Sequence, residues 1–233
     1  MKSDKAKVLH EISGRPMILY VTDTAAQVFG DHVVVVVGHQ AGLVQDVVRR
    51  ESSARFALQE EQLGTGHAVQ SALPAVPSGV QRIVILYGDV PLLRSETITH
   101  LIDDHTRAGR DLTVLAVHLS NPTGYGRIIR DADDRFIGIV EEADSTPAQK
   151  QIKTINTGIY CVERPFLENA LPQLTNDNTQ GEFYLTDIVD IGYRPERVMG
   201  VVTASNPEEV AGVNSLEELA RAEAIMEKRI AGE

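Results

Sequence analysis

Arg82-Ile83-Val84-Ile85-Leu86-Tyr87-Gly88-Asp89-Val90-Pro91 is an apolar run that stops at a glycine and an acid. A short apolar stretch bounded by a turn signal reads as a buried strand over 82–86. In an open parallel sheet, ligands bind beyond the carboxyl ends of the strands. Asp89 stands at such an end, where a carboxylate suits a hard cation held against phosphates. It also suits a turn in which its side chain bonds the next backbone N–H, and these ten residues leave both readings open.

Upstream of this run, Val33–Val37 is five valines in a row and reads as a second strand buried on both faces; 55–59 reads as a third. The segments between have helical spacing. Pro16–Phe29 stops at Gly30, 43–50 follows Gly42, and 66–75 is interrupted at Pro74. Downstream, Ser95 is placed to cap a helix that runs to Ala108 and stops at Gly109, and 112–119 is a further strand. The alternation predicts an α/β fold with a mostly parallel mixed sheet flanked by helices. The pattern then changes. Short strands at 126–130, 136–141 and 154–162, with a turn at Asp131-Ala132-Asp133-Asp134, predict small antiparallel β additions. Helices are expected at 165–171, 182–191, 206–209 and 215–230, with a strand at 198–202.

Composition narrows the functions. The 233 residues carry a net charge of −11, which argues against nucleic acid as a partner. The single cysteine, Cys161, lies in an apolar run and reads as core; it allows neither a disulfide framework nor a cysteine zinc site. No run is apolar for long enough to span a membrane, and the charged N-terminus has no apolar stretch after it, so a cytoplasmic protein is expected. The seven histidines show no spacing for metal ligation. Neither a Gly-x-Ser-x-Gly elbow nor a Gly-Lys-Ser/Thr phosphate loop occurs.

Four other segments can carry chemistry. In Gln59-Glu60-Glu61-Gln62-Leu63-Gly64-Thr65-Gly66-His67-Ala68, the glycines allow close approach to a flat ligand and Gln59 offers a donor and an acceptor. Thr65 is placed to cap a helix and leave its first N–H groups free. Pro122-Thr123-Gly124-Tyr125-Gly126-Arg127-Ile128 is a glycine-rich loop leading into a strand. Ile155-Asn156-Thr157-Gly158 puts an asparagine in a strand, where a ligand or a local turn can compensate it. In Val213-Asn214-Ser215 either polar residue can be a helix N-cap.

Taken in order, these segments resemble the uridyltransferase half of the bifunctional bacterial N-acetylglucosamine-1-phosphate uridyltransferases and glucosamine-1-phosphate acetyltransferases. The match adds Lys7-Val8-Leu9-His10, Gly14-Arg15-Pro16-Met17, Gly181-Glu182-Phe183-Tyr184-Leu185-Thr186-Asp187 and Gly212-Val213-Asn214. It covers residues 1 to about 225. It implies a Rossmann-like nucleotide-diphospho-sugar transferase fold and a reaction of UTP with N-acetylglucosamine 1-phosphate that needs Mg²⁺. Carried over residue by residue, Asp89 and Asn214 are implied as Mg²⁺ ligands, and Lys7 as a catalytic and triphosphate-binding cation. Gln59, Gly64, Thr65, Tyr87 and Gly88 are implied at the nucleotide; Gly126, Glu141 and Asn156 at the sugar; Thr186 and Asp187 as a brace for a nearby helix. Another sugar phosphate or base, or a non-catalytic interaction domain, are the competing readings.

The departures carry expectations too. The family opens with an interior strand and a Gly-x-Gly-Thr-Arg-Met loop, and Met1 falls on the last residue of that loop. A hydrophobic slot with unpaired ladder groups is therefore expected in the sheet, and slow turnover by these residues alone. Ala143 stands where the family has a lysine, and Ala6 where it has a proline. Residues 226–233 lead to where the family continues into a left-handed β-helix that carries acetyl transfer; a homotrimer is expected only where that domain is present.

Overall fold

The computed structural model describes residues 5–194 and 196–232. The match of Met1 to the end of the family's loop lies outside the described residues. The chain opens with a 3₁₀ turn, Lys7–Leu9, and a small hairpin of β1 (Glu11–Ile12) and β2 (Arg15–Pro16). The sequence reading missed this hairpin. Its signal was Ser13-Gly14, the two residues with positive φ that such a turn needs. Helix α1 (Met17–Phe29) follows and ends at Gly30 as expected.

β3 (Val34–Val37) pairs in parallel with β4 (Arg55–Leu58) across helix α2 (Ala41–Arg49). Helix α3 (Thr65–Ala72) and a 3₁₀ turn through Pro74 lead to β5 (Arg82–Ile85). Next come α4 (Ser95–Ala108), β6 (Leu112–His118), β7 (Arg127–Arg130), β8 (Phe136–Val140) and β9 (Thr154–Glu163). Helices α5 (Arg164–Ala170) and α6 (Ile188–Gly192), strand β10 (Met199–Thr203), a 3₁₀ turn at Pro207–Val210 and helix α7 (Leu216–Ala231) complete the chain.

Six strands form one mixed sheet in the order β10-β6-β9-β7-β8, with β5 also paired to β9. β10 is parallel to β6, while β9 is antiparallel to β5, β6 and β7. Four strands, β5, β6, β7 and β10, thus run one way, and β9 and β8 run against them. The period-two alternation of β6 and β9 builds two cores. Leu112, Val114, Ala116, Tyr160 and Val162 pack under α5 and α6. Leu115, Val117, Ile159 and Cys161 pack under Ile98 and Leu101 of α4. Cys161 is fully buried and burial pushes its thiol up to about 12, so it is inert core as read.

β3 and β4 form a separate sheet, and no ladder joins β3 to β5 among the described residues. Between them lies a cleft of about 900 Å³, lined by Val34, Val36, Ile83, Ile85, Val21 and Val69. This is the slot the sequence led us to expect. It also corrects one detail: Val35 and Val37 are buried against α1 and α2, but Val34 and Val36 are half-exposed on the cleft rather than buried on a second face. The four residues of β5 are likewise half-exposed.

Two helix boundaries also need correcting. Arg94, not Ser95, holds the N-cap position of α4, and the Ser95 hydroxyl turns to the Glu96 carboxylate at 3.4 Å. The helix expected over 182–191 shortens to a 3₁₀ turn at Leu185–Asp187 and then α6. The reason is local: Phe183 N–H donates to the Leu63 carbonyl at 2.8 Å, and its own carbonyl accepts from Gly66 N–H at 2.8 Å. Backbone groups spent on that loop cannot close helical bonds.

Candidate active site

The site begins where β5 ends. Val90 N–H bonds back to the Tyr87 carbonyl at 3.3 Å, which turns the chain and leaves the Asp89 carboxylate at the strand end. The Asp89 carbonyl accepts from Val213 N–H at 2.9 Å and so holds the loop before α7 alongside. Ser215 takes the N-cap of α7 in a reciprocal capping box with Glu218. The Asn214 side chain is therefore not the cap, and it meets Lys7 instead. The Lys7 ammonium donates to Asn214 Oδ1 at 2.7 Å and is ion-paired with Asp89 Oδ2. Three residues far apart in the sequence thus share one point.

A carboxylate oxygen and an amide oxygen are donor types that suit a hard divalent ion. Among the described residues no group of three or more His, Cys, Asp or Glu side chains is placed to hold a metal. Asp89 and Asn214 offer two oxygens to such an ion, with the remaining positions open to water or substrate phosphates. Mg²⁺ sites commonly have this character, taking one or two carboxylates plus substrate phosphates.

The Gly64 loop is built by close packing. Gly64 has φ +113°, and an added Cβ would stand 2.7 Å from the Phe183 carbonyl oxygen, so only glycine fits. Gln59, nearly buried, donates to the Gly64 carbonyl at 3.1 Å and meets His67 Nδ1 at 3.2 Å, bracing the loop from within. Thr65 departs from its expected role. Gly64 is the N-cap of α3, the Thr65 hydroxyl accepts from Leu185 N–H at 3.0 Å, and the Gly66 N–H is already taken by Phe183. The first turn of α3 is therefore not a free set of donors.

β9 changes partner at the site, from β7 at Ile155 to β5 at Tyr160. Asn156 lies in the gap. Its N–H donates to the Gly126 carbonyl at 2.8 Å, its Oδ1 accepts from Gly158 N–H at 3.0 Å, and its amide donates to the Tyr160 hydroxyl at 2.9 Å. A local turn thus compensates this asparagine. Gly158 has φ +79°, and its bare α-carbon receives the Tyr87 ring, which a Cβ would meet at 2.5 Å. The half-buried Tyr87 hydroxyl is held above its usual pKa, by burial first. Across the gap, a Cβ at Gly126 would stand 3.3 Å from Glu141 Oε2. Burial raises the Glu141 pKa, a rise that the neighbouring Thr186 hydroxyl opposes. Gly126, Glu141 and Asn156 therefore come together. Asp187 occupies the N-cap position of α6 without a side-chain bond, so it does not brace the helix in the expected way; burial raises its pKa to about 6.

Two residues of the glycine-rich loop, read in the sequence only as part of their segment, had no role of their own there. The Tyr125 hydroxyl lies close to the Gly212 backbone, which brings the glycine-rich loop beside the Asn214 loop. Arg127 is 1% exposed; its guanidinium donates to the Tyr125 carbonyl and, at 2.6 Å, to Glu142, which holds the Glu142 pKa down. The only signal was their place beside Gly124 and Gly126.

The model of the MobA-like NTP transferase domain matches residues 1–151. The chain belongs to this family. Its chemistry is therefore nucleotidyl transfer. It is 46% identical over 230 residues to the bifunctional protein GlmU of Geobacter metallireducens, covering 99% of this chain and 48% of that one. It is 43% identical over 230 residues to the GlmU of Geotalea uraniireducens, covering 99% and 50%. The chain thus spans about half the length of these relatives. In fold it is similar to a UDP-glucose pyrophosphorylase solved with UDP-glucose, with a TM-score of 0.72 at 13% identity, covering 96% of this chain and 90% of that one.

Proposed function

We propose that this chain transfers a uridylyl group from UTP to N-acetylglucosamine 1-phosphate, giving UDP-N-acetylglucosamine and pyrophosphate. The observation that carries this is the meeting of Lys7, Asp89 and Asn214 at the end of β5, next to the gap lined by Gly126, Glu141 and Asn156. A phosphate-facing cation site beside a polar pocket is what a sugar nucleotidyltransferase needs. The ordered resemblance described above supports this pair of substrates.

In this reading Asp89 and Asn214 would hold Mg²⁺, which when bound supplies charge neutralisation to the phosphates of both substrates. Lys7 neutralises part of the triphosphate charge. Gln59 and the Gly64-Thr65 backbone face the uracil, and Tyr87 and Gly88 lie by the nucleoside. Gly126, Glu141 and Asn156 take the sugar, where a carboxylate suits paired hydroxyl donors. A sugar-phosphate oxygen attacks the α-phosphorus in line; the new P–O bond forms as the bond to the β-phosphate oxygen breaks, and pyrophosphate leaves. The residues position and neutralise, and none forms a covalent bond.

The test is Mg²⁺-dependent pyrophosphate release across a panel of nucleoside triphosphates and sugar 1-phosphates, with Asp89→Asn as the control. Release greatest for UTP with N-acetylglucosamine 1-phosphate, and lost in the control, supports the reading. Greatest release with another pair would replace it.

A further inference from the structure

Lys7 has two possible duties at the Asp89–Asn214 pair, and they exclude each other. It can hold the two oxygens together for a metal, or it can fill the seat a metal would take. The geometry favours the second. Its ammonium contacts Asp89 Oδ2 and Asn214 Oδ1 together, so one cation bridges both oxygens. The lysine side chain keeps partial access to solvent, while Asp89 is more enclosed. Its backbone is anchored close by: Ala6 N–H donates to the Gln40 side chain at 2.8 Å, and Val8 Cγ1 lies 3.3 Å from where a Cβ on Gly88 would stand. Neither anchor stops the ammonium from swinging off the pair. The two oxygens have a separate support in the backbone bond from Val213 to the Asp89 carbonyl, so they do not need the lysine to stay together.

We propose that Lys7 is a resident cation that seals the Asp89–Asn214 pair and must be displaced before a divalent ion binds there. This rests on reading Asp89 and Asn214 as metal ligands. The apparent metal affinity is then the intrinsic affinity reduced by the fraction of molecules in which the ammonium is away. Removing the ammonium removes that reduction.

Calorimetric titration of the 233-residue chain with Mn²⁺, without nucleotide, tests this. Lys7→Met is expected to bind Mn²⁺ about tenfold more tightly, the rise for a seat filled in nine molecules of ten. Lys7→Arg keeps the charge and is expected to stay near the unchanged chain. Lys7→Gln repeats the measurement where Met disturbs the fold, as judged by thermal melting. Weaker or unchanged binding in both Lys7→Met and Lys7→Gln overturns the proposal, because the lysine then organises the site or ignores it. Asp89→Asn separates the two levels. If it loses Mn²⁺ while the lysine variants do not gain, the metal site stands and the displacement falls. If it binds Mn²⁺ as the unchanged chain does, both fall.

Discussion

At the scale of single residues, the site depends on which neighbour a side chain finds. Asn214 and Ser215 are adjacent and chemically alike as caps, yet Ser215 closes the capping box and Asn214 reaches Lys7. No local rule separates them; the distance in sequence from Lys7 to Asn214 does not show that they meet. Gly158 was legible only as part of a polar interruption in a strand. Its positive φ and its contact with the Tyr87 ring come from the fold. Gly158→Ala places a Cβ against that ring in a conformation alanine resists. We expect a loss of about 2 kcal/mol or more in urea unfolding, above the usual penalty for alanine at positive φ. A loss under half that figure would mean that Tyr87 moves aside freely.

At the scale of elements, strands and helices with strong periodicity were placed within a residue or two; α1, α4 and β6 are examples. The segment 182–191 was not, because its backbone is committed to the Gly64 loop, a contact made across more than a hundred residues. The same segment carries a pH dependence. Asp187, at the start of α6, titrates at about 6 in the folded chain against an ordinary 3.8, chiefly through burial. The folded state therefore holds this proton more tightly. Its stabilising contribution is complete below about pH 4 and is lost as pH rises through about 6. Asp187→Asn should be more stable than the unchanged chain at pH 8, by about 1 kcal/mol after allowing for partial exposure, and should lose that advantage near pH 4. Urea melts at the two pH values check it; an equal gain at both would assign the effect to something other than charge.

At the scale of the whole molecule, the β3–β4 unit is joined to the rest, among the described residues, through side chains rather than a ladder. Ile18 and Leu19 of α1 pack with Val35 and Val37, and α3 covers the unit beside the cleft. Among the described residues, no strand pairs with the cleft edges of β3 and β5. In native-state hydrogen exchange, we expect cleft-edge amides of Val34–Val37 and Arg82–Ile85 to exchange faster than those of β6, which is paired on both sides. Equal protection would show that the cleft is closed in solution. The sequence alone determined the α/β class, the glycine-rich loops and the acid at the end of β5, because periodicity and turn chemistry are local. Only the tertiary structure decided that Lys7, Asp89 and Asn214 meet at the end of β5, that Gln59 and Thr65 spend bonds on the Gly64 loop, and that β9 opens a gap between β5 and β7. Each of these depends on backbone groups meeting across the chain, and no spacing in the sequence records such meetings.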